Sequence, residues 1–171
     1  SGDMAINDPD LISDLSFARS QLDRIPVPWR AIPGNHDVGD NVLSGKMNKR
    51  VTESRLAAYR DIFGPDHWHV EAGGWSLFGI NSLICNSDGL PSEAAQGAWL
   101  KAELARVPAD RPLALFLHKP LFLDHPSEAI LSPDGCDPVS RARILSPFAG
   151  RSLNLVACGH QHQLRSFRLG G

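Results

Sequence analysis

The run Gly34-Asn35-His36-Asp37 places an amide oxygen, an imidazole and a carboxylate in succession. An imidazole exchanges protons near neutral pH, and a neighbouring carboxylate can hold it in one tautomer. Pro33 and Gly34 end the preceding run abruptly, because glycine tolerates backbone angles that other residues avoid. The run therefore suits metal binding or acid–base chemistry, although the same residues also suit a hydrophilic turn.

Four other candidate ligands each follow an apolar or extended run of the chain: Asp3, His118, His160 and His162. Histidines at positions i and i+2 of an extended segment point the same way, so we expect His160 and His162 to face one cavity. Imidazoles combined with a carboxylate and an amide oxygen are the mixed ligands that divalent transition metals prefer. The joint pattern predicts a metal site.

The elements that must position these side chains alternate along the chain. Apolar residues at helical spacing predict helices over residues 11–24, 52–64, 94–107 and 138–148. Short apolar runs predict strands at residues 27–32, 68–71, 75–80, 112–117 and 153–158, and the last two are expected to be buried. Gly73-Gly74 predicts a hairpin between two of these strands.

This alternation predicts an α/β fold with a mixed sheet, in which the polar clusters lie at strand ends. Residues 1–4 are predicted to be the tail of a further strand, and residues 41–50 a loop over the site. A length of 171 residues suits one domain over 1–171.

Composition excludes several function classes. The net charge of −2 argues against a nucleic-acid surface that works by bulk charge, and no apolar run approaches the roughly 20 residues of a membrane span. The three cysteines form no C-x-x-C pair, which favours a reducing compartment. We therefore expect a cytoplasmic protein.

At the candidate ligands the sequence resembles the calcineurin-like metallophosphoesterases, whose pattern is D-x-H, G-D, G-N-H-[D/E], a lone H and G-H-x-H. The last four blocks match in order at Gly2-Asp3, Gly34 to Asp37, His118 and Gly159 to His162. The D-x-H block has no counterpart, which leads us to expect a chain that is incomplete at its N-terminus. Residues 32–38 and 117–121 look most like the cyclic-nucleotide-phosphodiesterase-like branch.

The resemblance implies a layered α-β-β-α sandwich with mixed sheets and a site for two divalent metal ions of the manganese, iron or zinc type. Asp3 would bridge the two ions and His162 would bind one of them. The other ion would be completed by three further ligands: Asn35, His118 and His160. Because Asp3 and His162 alone make a poor site, we expect this chain to hold one tightly bound metal at most, or none.

The resemblance also implies a reaction, the hydrolysis of a phosphodiester or nucleotide-type substrate by a metal-bridging hydroxide. His36 would act at the leaving group as general acid or charge stabiliser, and Asp37 would fix its tautomer. The expected partner is a small phosphorylated substrate, and an exposed sheet edge makes an oligomer an additional expectation. Two alternatives stay open, which are a phosphomonoesterase on the same scaffold and a non-catalytic fragment.

Overall fold

The computed structural model describes residues 2–41, 49–87, 89–129 and 131–168, within which helices and strands alternate. The helices are α1 (Ile12–Leu22), α2 (Asn35–Val38), α3 (Glu53–Phe63), α4 (Pro91–Arg106) and α5 (Pro138–Leu145). The strands are β1 (Trp68–Ala72), β2 (Trp75–Gly79), β3 (Leu113–Phe116) and β4 (Leu153–Ala157). Short 3-10 turns occur at Ser82–Ile84 and Ser146–Phe148.

The four strands form one mixed sheet in the order β1-β2-β3-β4. β1 and β2 are antiparallel and are joined by Gly73-Gly74, whose φ angles of 56° and 82° suit a tight hairpin turn. β2, β3 and β4 run parallel, with α4 and α5 as the crossover helices. The mixed α/β class and the predicted hairpin are confirmed.

Two hydrophobic clusters hold these elements together. The first lies between the sheet and helices α4 and α5, and includes Phe78, Leu100, Leu115 and Ile144. The second joins α1, α2 and α3, and includes Leu15, Val38, Leu56 and Tyr59. The second cluster packs α2, the helix that bears Asn35 and His36, and so supports that part of the candidate site.

Helix ends follow local capping chemistry. The Thr52 hydroxyl accepts a hydrogen bond from the Arg55 N–H at the start of α3, and Gly64 ends that helix with φ 84°. α4 begins three residues before the predicted Ala94, because Pro91 is suited to the first turn of a helix. Among the described residues, no helix is both long and apolar enough to cross a membrane.

The strand predicted at residues 27–32 is wrong, because this segment carries no strand assignment. Pro26, Pro28 and Pro33 lack the N–H donors that a sheet ladder needs, and the Ala31 carbonyl instead accepts a hydrogen bond from Trp68 Nε1 at 2.9 Å. The described residues form one four-stranded sheet. They do not form the second sheet that the expected layered sandwich would contain.

Two other expectations about strands need correction. Gly2 and Asp3 do not continue a strand, because their φ angles of 83° and 53° are incompatible with extended backbone. β4 is not a fully buried strand, since it lies at the edge of the sheet and Leu155 is 47% exposed. Most of the loop predicted over the site, residues 42–48, lies outside the described residues.

Candidate metal centre

Four chain segments meet at one end of the sheet. His118 lies just after β3 and His160 just after β4, and these parallel neighbours end at the same edge. The Gly159 N–H donates to the His118 carbonyl at 2.9 Å and ties the two segments together. Asn35 opens α2, and Asp3 lies in the N-terminal segment.

The polar atoms of these residues converge on His118 Nε2. This nitrogen lies 3.0 Å from Asn35 Oδ1, 3.1 Å from His160 Nδ1 and 3.4 Å from Asp3 Oδ2. Ligand atoms of Asp3, His118 and His160 all fall within 4.8 Å of one another. The His118 side chain is 1% exposed and that of Asp3 is 17% exposed, so the cluster is largely shielded from water.

The convergence requires glycine at two positions. A Cβ atom on Gly34 would stand 2.2 Å from Asp3 Oδ1, and one on Gly2 would stand 2.3 Å from His118 Nδ1. Neither distance is possible for real atoms. The G-D and G-N-H-D blocks therefore bring two backbones together so that Asp3 can reach His118.

Asp3 and His160 are also held in an unusual backbone conformation. Their φ angles are 53° and 70°, in the left-handed region that costs a non-glycine residue on the order of 1 kcal/mol or more. Such strain persists only where the surrounding structure imposes it, and it is concentrated at functional sites.

The donor set fits a divalent metal ion. His118 Nε2 carries at most one proton, which can be donated in a hydrogen bond to one of its three neighbouring atoms. The lone pairs of the other neighbours then face His118 without a proton between them. Four ligands about 2.1 Å from a tetrahedral metal ion stand about 3.4 Å apart. The three separations measured from His118 Nε2, 3.0–3.4 Å, are close to that spacing, so a cation would replace repulsion between lone pairs by coordination.

His160 is oriented by a backbone group that sequence reasoning missed. Its Nε2 lies 3.1 Å from the Pro133 carbonyl, which can only accept, so the proton is on Nε2 and the lone pair of Nδ1 faces His118. Burial, together with the charge of Lys119, lowers the pKa of His160 and favours the neutral ring. A carbonyl contact of this kind leaves no sequence signal.

His36 sits beside the cluster with one ring nitrogen engaged. Its Nδ1 lies 3.1 Å from the Asn7 carbonyl, and its backbone N–H donates to Asp3 Oδ1 at 3.0 Å. Because the Asn7 carbonyl can only accept, the ring proton is on Nδ1, and Nε2 is the nitrogen through which His36 would exchange a proton with a substrate.

The expected role of Asp37 at the His36 ring is wrong. The carboxylate of Asp37 is fully buried and accepts hydrogen bonds from the backbone N–H groups of Ala5, at 2.9 Å, and Gly34, at 2.8 Å. Burial raises the pKa of Asp37, and these hydrogen bonds only partly offset the increase. Asp37 thus ties the N-terminal segment to α2. The Asn7 carbonyl, in place of Asp37, holds the His36 ring in one tautomer.

His162 does not join the described cluster. It is exposed, and both it and His160 have positive φ angles, 49° and 70°. The expectation that the two rings share one cavity assumed extended backbone, in which alternate side chains point the same way. The left-handed conformation at both positions removes that alternation, and of the two rings it is His160 that the described contacts place beside His118.

A family model described as calcineurin-like phosphoesterase matches residues 2–164. This range spans every candidate ligand from Asp3 to His162. A sequence search of curated proteins found no match.

Proposed function

The chain belongs to the calcineurin-like phosphoesterase family of metal-dependent hydrolases, and we propose that it hydrolyses phosphodiesters at the cluster around His118. The observation that carries this proposal is the convergence of three further metal-ligating groups, from Asp3, Asn35 and His160, on His118 Nε2 within 3.4 Å. The likeness of residues 32–38 and 117–121 to the cyclic-nucleotide-phosphodiesterase-like branch supports a diester substrate.

In this proposal one metal ion is held by four side chains: Asp3, Asn35, His118 and His160. When bound, the ion supplies Lewis-acid polarisation of the phosphoryl oxygens. His162 is exposed and stands apart from the cluster, so we propose one tightly bound ion per chain. Elemental analysis after dialysis measures this number, and two tightly bound ions would contradict it.

His36 handles the leaving group. Its Nδ1–H is engaged by the Asn7 carbonyl, so protonated Nε2 would give its proton to the departing oxygen as water adds to phosphorus and the bond between phosphorus and that oxygen breaks. The His36 N–H holds Asp3 Oδ1 and so couples the acid to the metal ligand. Asp37 keeps the turn in place through Ala5 and Gly34.

The test compares two substrates on the purified full chain. We expect manganese-dependent hydrolysis of bis-p-nitrophenyl phosphate that exceeds hydrolysis of p-nitrophenyl phosphate, and His118→Ala should remove both. His125→Ala is the matched control, since His125 is exposed and bonds to Ser127 in its own loop. Metal binding without any hydrolysis would contradict the proposal, and faster monoester cleavage would establish a phosphomonoesterase instead.

A further inference from the structure

A buried ion pair lies one residue along the chain from His118. Lys119 Nζ stands 2.6 Å from Asp40 Oδ1, and the two side chains are 1% and 9% exposed. Removing two charges from water costs free energy that their attraction often fails to recover, so a buried pair is a poor source of stability. Fold stability alone therefore does not account for this pair.

The backbone of each partner is hydrogen-bonded to another segment of the chain. The Lys119 N–H donates to Ser82 Oγ at 3.0 Å. On the other side, the Asp40 N–H donates to the Lys49 carbonyl at 2.8 Å, and the Asp40 carbonyl accepts from the Val51 N–H at 2.7 Å. The ion pair therefore joins two backbone segments, each of which is hydrogen-bonded to another part of the chain.

The two backbones are those that bear metal ligands. Lys119 directly follows His118, and Asp40 follows two residues after α2, which Asn35 opens. Asn35 Oδ1 and His118 Nε2 lie 3.0 Å apart and belong to chain segments 83 residues apart. The ion pair joins the same two segments a few residues from this contact.

We propose that Lys119 and Asp40 form a positioning pair that fixes His118 against Asn35 and cancels the lysine charge beside the cation site. This inference rests on the proposed function. With a side chain only 1% exposed, Lys119 is closed off from a substrate phosphate, so it acts through His118 rather than on the reacting atoms. An ammonium without Asp40 would repel a divalent cation across a medium of low dielectric constant.

The test uses Asp40→Asn, Lys119→Met and the double variant in the full chain, with Co²⁺ as the probe. Visible absorption of Co²⁺ reports ligand geometry as well as affinity. We expect Asp40→Asn to weaken Co²⁺ binding by roughly 10- to 100-fold, the range for groups that orient metal ligands. Lys119→Met should have a smaller effect, and the double variant should bind better than Asp40→Asn because the unpaired charge is gone. Wild-type affinity and spectrum in all three variants would overturn the proposal.

Asp66→Asn is the matched control for a general loss of packing. Asp66 is also fully buried and is paired with Arg60 at 3.0 Å, but its hydrogen-bond partners Arg60, His67 and Asn81 include neither member of the Lys119–Asp40 pair. Because its carboxylate contacts neither that pair nor a candidate metal ligand, this variant should keep its Co²⁺ affinity within about twofold of wild type. Equal weakening in Asp66→Asn and Asp40→Asn would overturn a specific positioning role. The double variant leaves no unpaired charge at positions 40 and 119 and keeps the test available if a single variant does not fold.

A metal-free measurement separates this inference from the proposed function. The rings of His118 and His160 meet edge to face with centroids 4.9 Å apart, so their NMR resonances report the geometry without a metal. These resonances should shift in Asp40→Asn and Lys119→Met but not in Asp66→Asn. If wild type binds Co²⁺ without hydrolysing bis-p-nitrophenyl phosphate, the proposed function fails and positioning stands on the binding data. If wild type binds no Co²⁺, unchanged ring resonances overturn the positioning role and shifted ones support it.

Discussion

Two buried polar clusters of this molecule satisfy their atoms in different ways. In the cluster around Asp66, the carboxylate accepts hydrogen bonds from Arg60, His67 and Asn81 at distances of 3.0–3.1 Å. Burial alone would raise the pKa of Asp66, but these hydrogen bonds outweigh it and hold the pKa well below its usual value. Every acceptor oxygen in this cluster thus faces donors.

The cluster around His118 has too few protons for its acceptors. Asp3, Asn35 and His160 direct oxygen or nitrogen lone pairs at a nitrogen that carries at most one proton. Asp3 and His160 also have positive φ angles, whereas Asp66, Arg60 and His67 do not. A network in which donors and acceptors are matched stabilises a fold. A cluster with more acceptors than protons, held by strained backbone, is suited to binding a cation.

The largest effect should come from removing an acceptor of the His118 cluster. Replacing Asn35, His118 or His160 by alanine removes a metal ligand, so we expect a loss of metal affinity beyond the roughly 10- to 100-fold typical of outer-sphere groups. Phosphoesterase activity should fall together with it, while circular dichroism remains native. Unchanged manganese stoichiometry in all three variants would show that these side chains are not ligands.

His36→Ala separates acid catalysis from metal binding within the same cluster. The metal content should remain near that of wild type, whereas the rate should fall by roughly 100- to 10,000-fold, the range for general acid catalysis. The loss should be smaller for p-nitrophenolate than for poor leaving groups, which need the proton. Equal losses on both kinds of leaving group would contradict the assigned role.

Local sequence patterns predict the parts of this molecule that local chemistry determines. Helical periodicity located α1 and α3 to within about two residues, because each is ended by its own capping or turn residues. Gly73-Gly74 identified the hairpin because both glycines adopt positive φ angles. The motif residues likewise predicted Asn35, His118 and His160, which the structure brings together.

The expectations that failed depend on contacts between distant segments or on backbone angles that the residue type does not reveal. Asp37 binds the Ala5 N–H, 32 residues away, and no spacing near Asp37 reveals this partner. The position of His162 depends on a positive φ angle at a residue type that usually avoids it. Lys119 left a weak signal, since a lone charge between His118 and Pro120 in an otherwise apolar stretch needs a partner.

Asp66→Asn should lower the free energy of unfolding by weakening the cluster around Asp66, without changing the cluster around His118. Arg60 would keep a charge without its carboxylate partner, and because Arg60 is 34% exposed we expect a loss of only about 2–3 kcal/mol in unfolding free energy. Urea denaturation measures this loss. A change in metal affinity would show that the two clusters are coupled.

The pH dependence of stability should identify the same carboxylate. Because the pKa of Asp66 is lowered in the folded state, its contribution is complete above the unfolded value of about 3.9 and is lost as the pH falls below it. The difference in unfolding free energy between wild type and Asp66→Asn should be constant from about pH 7 to 5 and shrink below about pH 4. A difference that changes near neutral pH would point to another group.

The smallest expected loss of stability comes from replacing His67 in the cluster around Asp66. Its closest comparison is His160 in the cluster around His118. His67 Nδ1 lies 3.1 Å from Asp66 Oδ1, and His160 Nδ1 lies 3.1 Å from His118 Nε2. His67→Ala removes one of several donors to Asp66, so it should cost about 1 kcal/mol, which corresponds to roughly 2–4 °C in Tm for a chain of this size.

This loss should be the same with and without manganese, because the His67 contact does not involve the cation site. A ligand that binds only the folded state stabilises it, by about 2.7 kcal/mol at 100 times its Kd, so manganese should raise the Tm of wild type and His67→Ala alike. His160→Ala should abolish this rise, because it removes a metal ligand from the His118 cluster. Thermal scans of the three proteins with and without manganese measure both effects. A manganese-induced rise that survives in His160→Ala but disappears in His67→Ala would reverse the roles assigned to the two clusters.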